Sequence, residues 1–313
     1  MYWSGIAQAL MWKQFTALGV LQYPNFLETT LQIIPFYIIR SFGGLLYFIG
    51  LFLLVYNLLM TAKNGSFIKN EEAEAAPLEK ENDKMKRGQI HRWLEKRPVK
   101  FALLSLIAVA IGGLVQMIPM FAVKSNVPTI SSVKPYTPLE LQGRDIYIRE
   151  GCVSCHSQLV RPFRSETERY GEYSKAGEYV YDHPFLWGSK RTGPDLMRVG
   201  GKYSNLWHFL HMEDPRSMSP GSIMPRYPWL YTQSLDISTT EAKINALRNI
   251  GVPYTAGYEK IANEDLQKQA NEIAQDLINN GAPAEPDKDI IALIAYLQRL
   301  GTDIKAKNSA SIK

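Results

Sequence analysis

Five consecutive residues, Cys152-Val153-Ser154-Cys155-His156, restrict this chain more than any other stretch. Cys-x-x-Cys-His is the attachment sequence for c-type haem: two thioethers tether the porphyrin and the following histidine takes the proximal position on iron. The spacing has a chemical reason. Two thiols three residues apart, on a turn opening into a helix, reach the two vinyl groups while His156 swings under the metal. A fold that carries the motif must wrap loops and helices around one large flat group. Three other readings fit less well. Zinc normally wants four protein ligands, and the chain has only two cysteines, both in the motif. A thioredoxin-like site needs a strand before it and a βαβ context. A plain Cys152–Cys155 disulfide leaves the histidine unexplained. The motif occurs once, so one covalently bound haem c is expected, held through Cys152 and Cys155 with His156 on the iron.

The second constraint is the bilayer. Residues 41–62 and 101–123 carry no charge, and each run exceeds the roughly 20 residues that cross a hydrocarbon core. The first span is expected at about 33–62, with Pro35 in its first turn, and an anchor helix at 101–123. Residues 63–100 hold ten lysines and arginines, so the positive-inside rule makes this charged linker cytoplasmic. The N-terminal end and everything after Lys124 then lie outside, in the periplasm of a bacterial inner membrane, where c-type haem is attached. The net charge of +5 is mostly this topological signal, and no arginine-rich, aromatic-interleaved patch argues for nucleic acid. No cleavable signal peptide is recognisable. Residues 1–18 are moderately apolar and resemble the outer end of a membrane helix. Gly43, Gly44, Gly50 and Gly112-Gly113 are small residues of the kind that let helices approach closely, pointing to a protein partner in the membrane.

After an extended tether at 124–135, Thr137-Pro138-Leu139-Glu140 combines an N-cap threonine, proline at the first helical position and glutamate at the third, which predicts a helix to about Glu150. Residues 157–235 are loop-like, with one short helix expected at Asn205–Glu213, stopped by Pro215. From Thr240 the pattern is helical again, with a stripe of Leu266, Ala270, Ile273 and Leu277, and a last helix spans Asp289 to Leu300. The fold class is therefore all-α: two transmembrane helices and a mono-haem cytochrome c domain of class I type over 136–313.

A sixth iron ligand is expected after His156. Met224, followed by Pro225, is the first candidate, since a thioether raises the potential as suits an electron carrier. Met197, Met212 and Met218 are alternatives, as are His183, His208 and His211 for a bis-histidine haem. His208 and His211 are three apart on a helix and read more readily as hydrogen-bonded structural groups. In Gly193-Pro194-Asp195-Leu196 the Pro194 carbonyl is placed to accept from the proximal histidine's Nδ1–H.

Several long stretches carry a resemblance: Gly143 to Cys152, Arg161-Pro162-Phe163-Arg164, Glu168-Arg169-Tyr170-Gly171, Tyr181-Asp182-His183-Pro184 and Trp187 to Leu196. With them the second span and the outer domain resemble the mono-haem subunit family, CcoO (FixO), of cbb(3)-type cytochrome c oxidases. The resemblance implies His156 and Met224 as iron ligands. Residues 1–63 depart from it. Tyr23-Pro24-Asn25-Phe26, Pro35-Phe36-Tyr37, Arg40, Gly43-Gly44-Leu45 and Tyr56-Asn57 are similar instead to the last transmembrane segment of the catalytic subunit family, CcoN. The first histidine is His91, in the linker, so the several membrane-helix histidines of a haem-copper centre are absent and the oxygen chemistry belongs to a partner. The resemblance implies an electron-transfer subunit that passes electrons from a CcoP-like di-haem subunit or a soluble cytochrome c to a CcoN-like catalytic subunit. Rival readings are the cytochrome subunit of a nitric oxide reductase, a membrane-anchored electron shuttle, a haem-based sensor, and a structural anchor whose haem only stabilises its domain.

Overall fold

The computed structural model describes residues 2–65, 90–122, 129–188 and 190–305, and among them there are helices, turns and two isolated β-bridges but no strand. Most of the charged linker, including Lys84, Lys86 and Arg87, lies outside the described residues, as do 123–128 of the tether region and Ser189. The chain divides into two units, Met1–Arg40 with Pro128–Lys313, and Ser41–Val127.

In the first unit, α5 (Pro138–Arg149) begins with the predicted capping box. Glu140 N donates to Thr137 Oγ1 at 3.3 Å and Thr137 N donates to Glu140 Oε2 at 2.8 Å, so two amides that a helix start leaves open are satisfied. Its main partner is α11 (Asp289–Arg299), a helix in which every residue from Asp289 to Leu297 is buried. The crossing is possible only because position 143 is glycine: a Cβ there would stand 1.9 Å from Ala292 O and 2.8 Å from Tyr296 Cβ. Arg149 pairs with Asp289 at 2.6 Å across the same crossing, placing a carboxylate in the first turn of α11, where the helix dipole favours it. Burying side chains such as Leu293 and Leu297 contributes about 1.5–3 kcal/mol each.

Around this pair lie α7 (Asn205–Glu213), α9 (Thr240–Asn249) and α10 (Tyr258–Asn279). The buried line of α10 is Ala262, Leu266, Ala270, Ala274 and Leu277; Ile273, expected in that stripe, is half-buried beside it. The loop-like stretch contains two further short helices, α6 (Arg164–Tyr170) and α8 (Pro215–Met218). Pro215 does more than stop α7. With Asp214 as N-cap it starts α8, because proline at a first helical position gives up an amide that has no partner there.

The N-terminal region differs from expectation. Residues 2–12 form a separate helix, α1 (Tyr2–Trp12), and α2 (Phe26–Asn64) starts seven residues before the expected 33, so Pro35 lies inside the helix and not in its first turn. The early start follows from local bonds: Leu27 N donates to Asn25 Oδ1, and the Thr29 hydroxyl donates to Phe26 O at 2.8 Å. Phe26, Thr29, Thr30 and Ile33 are buried within the first unit.

The second unit holds the remainder of α2, α3 (Ile90–Glu95) and α4 (Pro98–Ala122). Helices α2 and α4 are long and apolar enough to cross a membrane, and the most apolar stretches of both are open to their surroundings. Among the described residues, and apart from the helix's own backbone, nothing lies within 4 Å of a Cβ built on Gly43, Gly44, Gly50, Gly112 or Gly113. Arg97 and Lys100 lie over the Trp93 ring at 4.5 and 5.4 Å, an aromatic and basic corner of the kind found at membrane interfaces.

Candidate haem site

Helix α5 delivers its C-terminus to Gly151, whose φ of +73° suits a residue without a Cβ and turns the chain into a tight 3₁₀ turn over Cys152–Ser154. Cys155 N and His156 N both donate to Cys152 O, at 3.1 and 2.9 Å. The motif is thus one closed turn with both thiols on it, Cys152 buried and Cys155 half-buried. Burial pushes the Cys152 thiol up to about 12, with the Glu150 carboxylate adding to it.

His156 Nδ1 lies 2.8 Å from Pro194 O. A carbonyl can only accept, so Nδ1 carries the proton and Nε2 keeps its lone pair. Burial holds the ring below the ordinary imidazole range, against the opposing pull of the Pro194 carbonyl and the Asp195 carboxylate. The neutral form is the one that ligates a metal. The loop bearing Pro194 is tied to the motif by its backbone: Thr192 N and Gly193 N both donate to Cys155 O at 2.9 Å. Gly193 lies flat against the imidazole, and a Cβ there would be 2.3 Å from His156 Cε1.

Behind the loop is a buried charged hub that sequence reasoning missed. Asp195 Oδ2 accepts from Ser157 Oγ at 2.6 Å and Leu159 N at 2.8 Å, and Oδ1 accepts from Met197 N at 2.9 Å. Arg191 donates to Ser157 Oγ, Glu166 Oε1, Leu159 O and Asp195 Oδ2. Buried charges hold a geometry only when their hydrogen-bonding capacity is met, and the lone pairs of Asp195 and the fork of Arg191 are so occupied. No local signal announces this: Arg191 and Asp195 were visible as parts of a motif, but Ser157 and Glu166 find them only through the fold.

Met224 is half-buried, packed on the main core, on a loop fastened to the end of α7. The last carbonyls of a helix lack partners within it; here Met212 O accepts from Tyr227 N at 3.0 Å and Glu213 O from Arg226 Nε at 2.9 Å, while the Tyr231 hydroxyl donates to Phe209 O. The other candidates lie elsewhere. Met197 packs with Val160 and Tyr179 in a separate cluster, Met212 is in the main core, and Met218 ends α8. His183 is exposed, and its backbone carbonyl accepts from Arg144. His208 and His211 pack against Trp207, His211 stacked at 4.4 Å and His208 edge-on at 5.3 Å. Among the described residues, His208 Nε2 and His211 Nδ1 have no hydrogen-bond partner. Burial lowers both to about 4; the charge of His211 adds to this at His208, and that of His156 at His211.

This donor set fits a haem. Two thiols and an imidazole share one turn, the imidazole is oriented by a carbonyl, and glycine leaves the ring's flank clear. Among the described residues there is no cluster of three or more His, Cys, Asp or Glu side chains suited to a separate metal ion.

Fold and site together define a membrane protein with an all-α haem-binding domain. The family model described as cytochrome c oxidase, mono-heme subunit/FixO matches residues 91–304, and the chain belongs to that family. It is also similar to proteins named cytochrome c oxidase subunit 1 homolog. The bacteroid protein of Bradyrhizobium diazoefficiens is 51% identical over 65 residues, covering 21% of this chain and 12% of that protein. The Azorhizobium caulinodans protein is 39% identical over 80 residues, 25% of this chain and 14% of its own length. That of Agrobacterium tumefaciens is 35% identical over 77 residues, again 25% and 14%. The chain therefore spans only a small part of these relatives.

Proposed function

We propose that this chain is the electron-transfer subunit of a C-family, cbb(3)-type haem-copper oxidase. A donor, either a CcoP-like di-haem subunit or a soluble cytochrome c, supplies electrons that pass through one haem c to a CcoN-like catalytic subunit, which reduces oxygen to water. Cys152 and Cys155 would hold the haem covalently, and His156 and Met224 would ligate its iron. The haem supplies a site that cycles between ferric and ferrous iron by one electron. The protein's own part is positional. The Pro194 carbonyl holds the proton on His156 Nδ1 and raises the basicity of Nε2, the Arg191–Asp195 hub fixes that carbonyl, and the carbonyls at the end of α7 fix the Met224 loop. The cytochrome domain, 136–313, lies in the periplasm and the linker 63–100 in the cytoplasm. Residues 1–62 correspond to the tail of a catalytic subunit, a reading that rests on the resemblance of Tyr23-Pro24-Asn25-Phe26, Pro35-Phe36-Tyr37 and Gly43-Gly44-Leu45.

The observation that carries the reading is the 2.8 Å contact between His156 Nδ1 and Pro194 O within a Cys-x-x-Cys-His turn, in a chain of the mono-haem subunit family. The test is chemical. Denatured protein should keep its haem stain on a gel, Cys155→Ala should lose it, and the membrane complex containing that variant should lose oxygen uptake driven by reduced cytochrome c. Haem that leaves the unaltered protein in acid acetone would overturn the covalent assignment.

A further inference from the structure

Residues 2–40 belong to the same unit as the haem-binding domain, held there by contacts to α6 and by contacts to each of the two loops that carry Pro194 and Met224. Trp12 ends α1, so its carbonyl has no partner inside the helix. Arg169 of α6 donates to it at 3.3 Å and to Tyr23 O at 3.0 Å, and Arg164 donates to Gly19 O at 2.6 Å. Guanidinium groups suit the negative end of a helix dipole. Their hydrogen bonds go to backbone oxygens, and Arg164 also lies over the Phe15 ring at 4.6 Å, so both the course of the segment and one of its side chains are engaged.

The other two contacts lead to the site. Gln8 Nε2 donates to Arg191 O at 3.2 Å, and the Arg191 guanidinium lies 5.8 Å from the Trp12 ring and 5.3 Å from the Tyr170 ring. Arg191 is the residue that also binds Ser157 and Asp195, next to Pro194. On the other side, Leu31 Cδ2 stands 3.2 Å from where a Cβ on Gly221 would be, three residues before Met224. One segment thus touches both loops, each within three residues of a group assigned to the iron or its histidine.

We propose that residues 2–40 are a docking segment for the face formed by α6, Arg191 and Gly221, and that its engagement, transmitted through Arg191, keeps the Pro194 carbonyl and His156 in register. Arg191 and Trp12 are positioning residues. The occupant of the face is this chain's own N-terminal segment. Only the consequence for the iron rests on the assignment of His156 as a ligand; the docking does not.

Hydrogen exchange on the intact holoprotein, with redox titration of the same samples, tests the proposal. Gln8→Ala with Trp12→Ala alters the segment and leaves the core of the haem domain untouched; Arg169→Gln alters the receiving face. Both should speed exchange at residues 8–23 and at the Thr192 and Gly193 amides by about tenfold, the loss of a charge-assisted or neutral hydrogen bond at each contact. Helices α10 and α11 should keep their protection, and the midpoint potential should shift in the same direction in both variants. Faster exchange at 8–23 with Thr192 and Gly193 unchanged would overturn the coupling, and no change in either region would overturn the docking. Faster exchange in both regions with an unmoved potential would uphold the docking and overturn its transmission to His156.

Discussion

Replacing Gly193 by alanine places a methyl carbon 2.3 Å from His156 Cε1, 2.7 Å from Nδ1 and 2.8 Å from Nε2, where ordinary contacts are 3.4–4 Å. The loop cannot retreat cheaply, because its Thr192 and Gly193 amides are bonded to Cys155 O and Asp195 is held on three sides. The imidazole must therefore recede by about 1 Å, which takes its 2.8 Å bond to Pro194 O past hydrogen-bonding range. Overpacking of this kind costs about 1–3 kcal/mol and the lost bond about 0.5–1.5 kcal/mol. The expected result is a fall in melting temperature on the order of 10 °C together with an altered haem. Each 1.4 kcal/mol of difference between the ferric and ferrous forms moves a one-electron potential by about 59 mV, so redox titration reads the displacement directly. Two comparisons make it specific. Gly201→Ala meets no atom within 4 Å and pays only for a φ of +67°, about 1 kcal/mol, with no effect on the haem. Gly143→Ala drives a methyl group into the backbone of α11 and should cost more stability than either, without a spectral change in the molecules that stay folded. A Gly193→Ala potential and spectrum indistinguishable from those of Gly201→Ala would refute the placement of His156 against this loop.

Ferric protein should show the weak near-infrared band of methionine ligation, and Met224→Ala should abolish it; a band that survives would transfer the role to Met197, Met212 or Met218. Asp182 is buried, and burial pushes its carboxyl up to about 6, with Arg144, whose Nε is 3.6 Å away, opposing the rise. A raised carboxylate pKa means that the folded state holds the proton more tightly than the unfolded chain, so stability should fall as pH rises from about 4 to about 6. Asp182→Asn should flatten that slope in thermal melts; an unchanged slope would show that another group is responsible. Arg149→Ala leaves Asp289 buried without its 2.6 Å partner and should destabilise the domain by about 1–3 kcal/mol, measured by denaturant unfolding, whereas a neutral result would show the pair to be dispensable.

What the sequence disclosed was local. The capping box at Thr137–Glu140, the apolar face of α11 and the motif at 152–156 each involve residues a few positions apart, so their patterns survive in a one-dimensional reading. Helix α7 was visible for the same reason, with Pro215 closing it, although its N-cap, Ser204, emerged only in the fold. The short helix α6 was not, because Phe163 at its N-cap offers no side-chain acceptor and its residues look like a polar loop. The start of α2 was misplaced because the charge-free run marks where the bilayer core begins, while the helix is set further back by Asn25 and Thr29. The hub around Asp195 joins residues up to 38 positions apart, and the docking of residues 2–40 depends on arginines finding oxygens more than a hundred positions away, as Arg169 does with Tyr23. No periodicity records such a meeting.

The crossing of α5 and α11 also sets an order of events. Arg149 and Asp289 are 140 residues apart in the chain, so at about 5–20 residues per second the second helix is made on the order of ten seconds after the first. Until then α5 has no main partner, and the turn that follows it is free to open. In the folded domain Cys152 is only 9% exposed. Its sulfur is thus more accessible before α11 docks on α5 than after, so α11 acts as a latch on a turn made about 140 residues earlier in the chain.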